Sequence, residues 1–174
     1  GALLFADEVE RVIPPAKGRR HALRVIRDLV AFAPAGRRTN LGASLSYTSR
    51  LLRHRAIVAV LSDFLAEGWE KPLRRLASRH EVVAIVIEDP RESELPESGW
   101  IEMADAETGR RVLVDTGSRD VRDRLRALAE RRRGDRARML GAAGVDQILL
   151  RTDVEYGRPL RQAFARRARR LRCG

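Results

Sequence analysis

An open, mainly parallel α/β sheet of the doubly wound, Rossmann-like kind, with helices on both faces, is the fold that the sequence predicts. Residues 56–61 and 82–87 are apolar at every position, which is typical of strands covered on both faces of a parallel sheet. Stretches with helical periodicity separate these runs, and this alternation predicts parallel strands joined by helical crossovers. The length of 174 residues fits one domain, so we assign residues 1–174 to a single domain.

The first third of the chain predicts a hairpin followed by two helices. Residues 2–6 form a short apolar run, and residues 9–13 form a second strand that Pro14 confines to a sheet edge. Amphipathic helical patterns follow over residues 18–32 and 41–53. A natural domain rarely starts within a strand, so we expect the chain to be an N-terminally incomplete fragment.

The rest of the chain continues the alternation. In order, the patterns predict a helix over residues 69–80, a hairpin over residues 100–114 with its turn at residues 105–109, a long helix over residues 118–142, a strand over residues 145–150 and a final helix. Gly144 ends the long helix, because glycine readily adopts the left-handed conformation that follows many helices. Thr152 and Asp153 have side-chain oxygens that can cap the final helix.

Polar side chains follow each of the predicted strands that end at the same edge of the sheet. They are Asp7, Ser62, Asp63, Glu88, Asp89, Thr152 and Asp153. In open α/β sheets, ligands bind beyond the carboxyl ends of the strands, so this strand-end rim is the predicted functional face. Its carboxylates contrast with the basic balance of the chain as a whole.

The chain carries a formal net charge of +11, and all but two of its 35 basic residues are arginines. Arginine-rich helices over residues 118–142 and 156–172 can bind nucleic acid or an anionic surface, which is the alternative function. Acidic residues such as Asp120 and Asp123 interleave with these arginines, and no row of aromatic side chains offers bases a stacking platform. We therefore favour solvated helix faces and expect that nucleic acid is not the partner.

The sequence contains no arrangement that predicts catalysis. There is no glycine-rich phosphate loop and no nucleophile elbow. The three histidines, His21, His54 and His80, match no zinc-site spacing, and Cys173 has no evident base partner. A doubly wound hydrolase would need a nucleophile, a base and an oxyanion cradle together, so we expect that the protein is not an enzyme.

The cellular location follows from two features of the sequence. No apolar run approaches the roughly 20 residues that span a bilayer. A single cysteine cannot form an intramolecular disulfide, which is typical of a reducing compartment. We expect a cytoplasmic location, or the cytoplasmic face of the membrane in the full-length protein, with membrane contact only through segments outside this chain.

Short blocks along the chain resemble a known family. The most specific are Leu61-Ser-Asp-Phe64 and Glu88-Asp-Pro-Arg-Glu92, which lie between Gly36-Arg-Arg-Thr-Asn-Leu41 and Leu113-Val-Asp-Thr-Gly-Ser118. In this order and spacing they are similar to the family called domain of unknown function 58, a bacterial group with a von Willebrand factor A-like domain. The likeness runs from Gly1 to about Phe164 and implies a von Willebrand factor A-like form of the predicted fold.

Domains of this type often bind a divalent cation through three loops, a metal-ion-dependent adhesion site. By the resemblance, Thr39 matches the threonine of the second loop and Asp63 the aspartate of the third. The first loop, Asp-x-Ser-x-Ser, has no counterpart, and in the family fold it follows a strand that would lie upstream of Gly1. One hydroxyl and one carboxylate do not hold Mg²⁺ against water. We expect no cofactor in this chain, and Mg²⁺ at Thr39 and Asp63 only in an intact protein that supplies the first loop.

The resemblance also implies a partner. Members of the family occur beside MoxR-type AAA+ ATPases and are thought to act with them in assembling or remodelling other proteins. We therefore expect a protein–protein interaction module, an adaptor or assembly factor that docks through the strand-end rim. In the family fold, the absent strand lies between residues 2–6 and 56–61, and unpaired edges there favour self-association as well.

Overall fold

The computed structural model describes residues 1–104, 109 and 111–170, with the backbone alone for residues 166–170. In chain order the elements are β1 (Ala2–Phe5), β2 (Val9–Ile13), α1 (Arg19–Val30), α2 (Leu41–Leu51), β3 (Ile57–Ser62), α3 (Glu70–Ala77), β4 (Glu81–Glu88), β5 (Trp100–Ala104), β6 (Arg111–Asp115), α4 (Arg119–Ala142), β7 (Asp146–Arg151) and α5 (Gly157–Arg170). Each strand and helix predicted above is present. Cys173 and, except for Gly109, the predicted turn at residues 105–109 lie outside the described residues.

The strands β3, β4 and β7 form a parallel sheet in that order, which confirms the predicted α/β class. Ile57 of β3 lies opposite Glu81 of β4, and Val83 of β4 lies opposite Asp146 of β7. The hairpins β1–β2 and β5–β6 are antiparallel, and each forms a separate two-stranded sheet. Because β1 does not pair with β3, the outer edge of β3 stays open within the described part of the chain.

The main core lies on the face of the sheet that α2, α3 and the end of α4 cover. Val82, Ala84 and Val86 of β4 point to this face and are buried. They pack with buried leucines from the three helices, namely Leu41, Leu45, Leu73, Leu76 and Leu140. Spacings of three and four residues place the leucines of α2 and of α3 on one side of each helix. The helical periodicity of the sequence therefore specifies which side of these two helices faces the sheet.

The second face of the sheet is covered only in part. Helix α5 packs on β4 and β7 there, and the residues in contact are Val83, Ile85, Ile148, Leu160 and Ala163. On β3 the same face is open, since Ile57 is 66% exposed and Leu61 is 57% exposed. The prediction that residues 56–61 are covered on both faces is therefore wrong, although it holds for β4. The physical reason is that α5 follows β7 and reaches only the two strands nearest to it.

Helix α1 has the predicted amphipathic pattern but buries none of its side chains. Leu23, Ile26 and Leu29 are each about half exposed. The predicted arrangement of helices on both faces therefore holds for β4 but not for β3, and on β7 Leu149 is 44% exposed on the face opposite α5. None of the described helices is long and apolar enough to cross a membrane.

The start of α5 differs from the prediction. Glu155 accepts hydrogen bonds from the backbone N–H groups of Gly157 at 2.8 Å and Arg158 at 3.0 Å. Asp153 forms an ion pair with a neighbouring arginine instead. The helix begins at Gly157, so Glu155 reaches its first N–H groups, and capping by Thr152 and Asp153 is not observed.

Leu76→Ala should destabilise the domain strongly, whereas Leu61→Ala should have little effect. Leu76 is fully buried, and the cavity left by its truncation costs about 2–5 kcal/mol. Leu61 lies on the open face of β3, where truncation changes the free energy of unfolding by about 0.5 kcal/mol or less. Urea denaturation of both variants measures the difference. Equal losses would show that the open face of β3 is covered in solution.

Candidate functional site

The carboxyl ends of three adjacent strands meet at one edge of the sheet. Asp63 follows β3 directly, and Glu88 is the last residue of β4. The parallel register sets Ser62 opposite Val86, so these two strand ends lie side by side. The backbone N–H of Thr152 donates to the carbonyl oxygen of Glu88 at 3.0 Å, which brings the end of β7 to the same edge. The sequence-predicted residues that follow β3, β4 and β7 therefore lie together.

A buried ion pair occupies the centre of this edge. Glu88 and Arg136 are 5% and 6% exposed, and a carboxylate oxygen of Glu88 accepts a hydrogen bond from Arg136 Nη2. Arg133 Nε donates to the other carboxylate oxygen at 3.0 Å, and its Nη2 reaches Ser93 Oγ at 3.3 Å. Arg136 Nη1 donates to the backbone carbonyl of Asp63 at 3.3 Å. These two arginines therefore join α4 to the ends of both β3 and β4.

The loop after β3 begins with a tight turn built by Ser62 and Asp63. Ser62 Oγ accepts from the Phe64 N–H at 3.0 Å, and Asp63 Oδ1 accepts from the Leu65 N–H at 3.0 Å. Phe64 has a left-handed φ of 59°, which is unfavourable for a residue with a side chain, and its buried ring contacts Trp69 edge-on with centroids 5.1 Å apart. The turn uses one oxygen of the exposed Asp63 carboxylate, and the other oxygen has no hydrogen-bond partner among the described residues.

Glu92 completes an acidic cluster with Asp63, Glu88 and Asp89. The pKa of Glu92 is raised, first by partial burial and then by the negative charges of Asp63, Asp89 and Glu88. The Asp89 side chain accepts from the Arg91 N–H at 2.9 Å and so supports the short helical turn that carries Glu92. Because Glu88 is neutralised by its arginines, the other three carboxylates give this edge its negative charge.

Thr39 lies near the start of α2, which packs beside the loop that follows β3. Asn40 caps α2 by accepting from the Ala43 N–H at 3.0 Å, and its own N–H donates to the Ala6 carbonyl at 2.9 Å. Thr39 is exposed, and in the described part of the chain no hydrogen bond joins it to Asp63. Among the same residues, no group of three or more histidine, cysteine, aspartate or glutamate side chains is arranged to hold a metal ion.

Two other carboxylates of the predicted rim have local roles. Asp7 Oδ1 accepts from the Arg38 N–H at 2.7 Å and fastens the loop before α2 to the β1–β2 hairpin. Asp153 forms a two-point pair with Arg151 at 2.8 and 3.0 Å, and the hydrogen bond from this arginine lowers the pKa of Asp153. Neither residue contributes to the acidic cluster.

Sequence reasoning missed the arginines that bind Glu88. Arg136 precedes the buried Leu140 by four residues, and Arg133 precedes it by seven, so all three lie on the inward stripe of α4. The signal that could have found them is an arginine at an inward helical position together with a carboxylate at the end of an apolar strand.

Comparison with known proteins places the chain among bacterial proteins whose function is not known. The family model described as "Protein of unknown function DUF58" matches residues 1–135. Uncharacterized protein Rv1480 of Mycobacterium tuberculosis and uncharacterized protein Mb1516 of Mycobacterium bovis are each 37% identical over 161 residues, which is 90% of this chain and 50% of each relative. Uncharacterized protein MAV169 of Mycobacterium avium is 35% identical over 149 residues, which is 83% of this chain and 86% of the relative.

The chain therefore spans about half the length of the first two relatives. No solved structure matches it significantly.

Arg136→Met should lower the free energy of unfolding by up to about 3–5 kcal/mol, because Glu88 would remain buried without its main partner. The loss is smaller if Arg133, which also pairs with Glu88, neutralises this carboxylate alone. Arg138→Met is the matched control, because Arg138 pairs with Asp135 on the exposed side of the same helix, and its loss should cost less than about 1 kcal/mol. Denaturant unfolding measures both.

The double variant Glu88→Leu/Arg136→Met removes both charges and should recover much of the stability. A loss for Arg136→Met no larger than that for Arg138→Met would contradict the role assigned to the buried pair.

Proposed function

The chain belongs to the DUF58 family of proteins of unknown function, and we propose that it is a protein–protein interaction module without enzymatic activity. Its docking face is the edge of the sheet that carries the acidic cluster. The proposed partner is a MoxR-type AAA+ ATPase, for which the domain acts as an adaptor or assembly factor. In this proposal the α/β fold is of the von Willebrand factor A-like form. The partner and the form rest on the family resemblance, and the docking face rests on the residues at the strand ends.

The composition of the carboxyl-end edge is the observation that carries the proposal. Leu65 follows Asp63 in the loop after β3, Val154 and Tyr156 follow β7, and the side chains of all three apolar residues are exposed. Leu65 lies in the loop that carries Asp63, and the other two follow β7, whose end adjoins Glu88 at the same edge. Protein interfaces combine apolar and aromatic contacts with a polar rim. A partner with both basic and apolar side chains would match both features.

The arginines of α4 give less support to the alternative, a basic module that binds nucleic acid or an anionic surface. Seven of the nine arginines in this helix form ion pairs, namely Arg119, Arg122, Arg124, Arg126, Arg133, Arg136 and Arg138. Phosphate binding draws on cations that are not already neutralised. The arginine side chains at residues 166–170, on which the alternative also depends, lie outside the described residues.

The open edge of β3 supports self-association as a further contact of the domain. Ile57 and Leu61 are exposed on the adjoining open face, and the strand carries no charged residue or proline that would discourage pairing at its edge. Exposed apolar edges of this kind recruit other strands.

Mg²⁺ and Mn²⁺ should not bind this chain measurably at millimolar concentration. Thr39 and Asp63 supply one hydroxyl and one carboxylate, whereas these cations require about six oxygen ligands in a near-octahedral arrangement. Isothermal titration calorimetry of the chain and of Asp63→Ala tests this. A saturable site that disappears in Asp63→Ala would refute the expectation and show that further ligands come from within this chain.

Tyr156→Ala and Leu65→Ala should each weaken binding to a MoxR-type ATPase of the same organism by at least about tenfold. Truncation of a central interface residue costs about 2 kcal/mol or more, which corresponds to such a change. Biolayer interferometry with and without ATP measures the affinity. Trp100→Ala is the matched control, because Trp100 is an exposed aromatic residue on the separate β5–β6 sheet.

Two results would count against this proposal in different ways. Absence of binding in every nucleotide state would reject the ATPase as the partner. Equal weakening by Trp100→Ala would reject the carboxyl-end edge as the docking face.

A further inference from the structure

A cavity of about 350 Å³ lies between α2 and α3 near their C-terminal ends. Four arginines and two serines line it, namely Ser46, Ser49, Arg50, Arg53, Arg75 and Arg79. Helix α2 leads into β3 and α3 leads into β4, so the cavity lies at the amino ends of these parallel strands. The acidic cluster lies at the opposite ends, roughly 20 Å away along a six-residue strand.

The positive charge of this cavity is not compensated by ion pairs among the described residues. None of its four arginines forms an ion pair within the described part of the chain, and no carboxylate lines it. The dipole of each helix favours a cation in the last turn, which accounts for Arg50 and Arg75. Arg53 and Arg79 lie beyond the helix ends, and they bring further guanidinium groups to the same cavity. The four arginines are exposed, and like charges that line one cavity without carboxylates attract an anion.

Ser49 provides a second, independent observation. The hydroxyl groups of Ser44, Ser46 and Thr48 each donate to the backbone carbonyl four residues earlier, at 3.0, 2.9 and 2.8 Å. Ser49 is 6% exposed, lines the cavity, and has no hydrogen-bond partner for its hydroxyl among the described residues. A hydroxyl that lines a cavity and that its own helix does not satisfy is available to a ligand.

We propose that this cavity binds a small anion that carries two or more phosphate groups. Guanidinium groups form two-point hydrogen bonds with phosphate oxygens. A single phosphate does not engage all four arginines of this cavity, so the ligand carries more than one phosphate. The volume falls in the range of sites for small organic ligands. Leu52 and Pro72 are the apolar lining, with no aromatic ring, so recognition rests on the phosphates and not on a base. The site is independent of the function proposed above.

Tripolyphosphate should bind the chain saturably at physiological salt, and orthophosphate should bind at least about tenfold more weakly. Arg50→Gln and Arg75→Gln should each weaken tripolyphosphate binding by about tenfold, because each removes charged hydrogen bonds. Ser49→Ala should weaken it by about fivefold. Isothermal titration calorimetry measures these affinities. Equal binding of ATP and tripolyphosphate would support the phosphates as the whole determinant, and tighter binding of ATP would support a nucleotide as the source of the phosphates.

Arg131→Gln and Arg132→Gln are the matched controls, because they remove the same charge from exposed arginines of α4 that form no ion pair in the described structure. Each should leave the affinity within about twofold. Arg53→Gln should melt at the same or a higher temperature than the parent without ligand, since Arg53 lies beyond the end of α2 and its removal lowers the positive charge of the cavity. The proposal is overturned if tripolyphosphate shows no saturable binding at millimolar concentration. It is overturned equally if the α4 controls weaken binding as much as the cavity variants.

Discussion

The ion pair between Glu88 and Arg136 is the interaction on which the arrangement of the other elements depends. Helix α4 has 24 residues, yet only Arg136 and Leu140 are buried. Apolar burial alone therefore contributes little to holding this helix on the sheet, and the guanidinium contacts to the strand ends contribute the rest. At the other end of the helix, Arg122 donates to the carbonyl oxygen of Thr116 at 2.5 Å and so holds the β5–β6 hairpin. A buried charge is costly without a partner, so the strand end and the helix must keep this position relative to each other.

This pairing also decides how charge is distributed over the domain. At the carboxyl ends of the strands, Glu88 is neutralised by its arginines, and the charge of Asp63, Asp89 and Glu92 remains for contacts with other molecules. At the amino ends, the cavity between α2 and α3 gathers arginines without carboxylates. The net charge of +11 is therefore unevenly distributed between the two ends of the sheet. The two ends are suited to different ligands, a basic and partly apolar protein surface at one and a phosphate-bearing anion at the other.

Apolar surface is left open on α1 and on the second face of β3. Ile26 of α1 and Ile57 of β3 are both more than half exposed. Removing such surface from water stabilises a protein by about 25 cal/mol per Å². A strand added at the free edge of β3 would pair its backbone groups, and an element packed on the open face would cover its side chains. Such a contact would leave both the acidic cluster and the arginine-lined cavity accessible, because they lie at the two ends of the sheet.

The sequence by itself determined the strands and helices and the edge at which the functional residues gather. Strand and helix periodicity and the glycine at 144 act over a few residues, and parallel strands that alternate with helices end at the same edge. Local pattern did not distinguish residues 56–61 from 82–87, since both are fully apolar. Because α5 packs on β4 and β7 but does not reach β3, both faces of β4 are covered and only one face of β3 is covered. The local pattern also did not distinguish Arg136 from the other eight arginines of its helix. The partner of Arg136, Glu88, lies 48 residues away in the sequence. Which charges are buried and which remain exposed depends on where α4 packs, and that is a property of the tertiary structure.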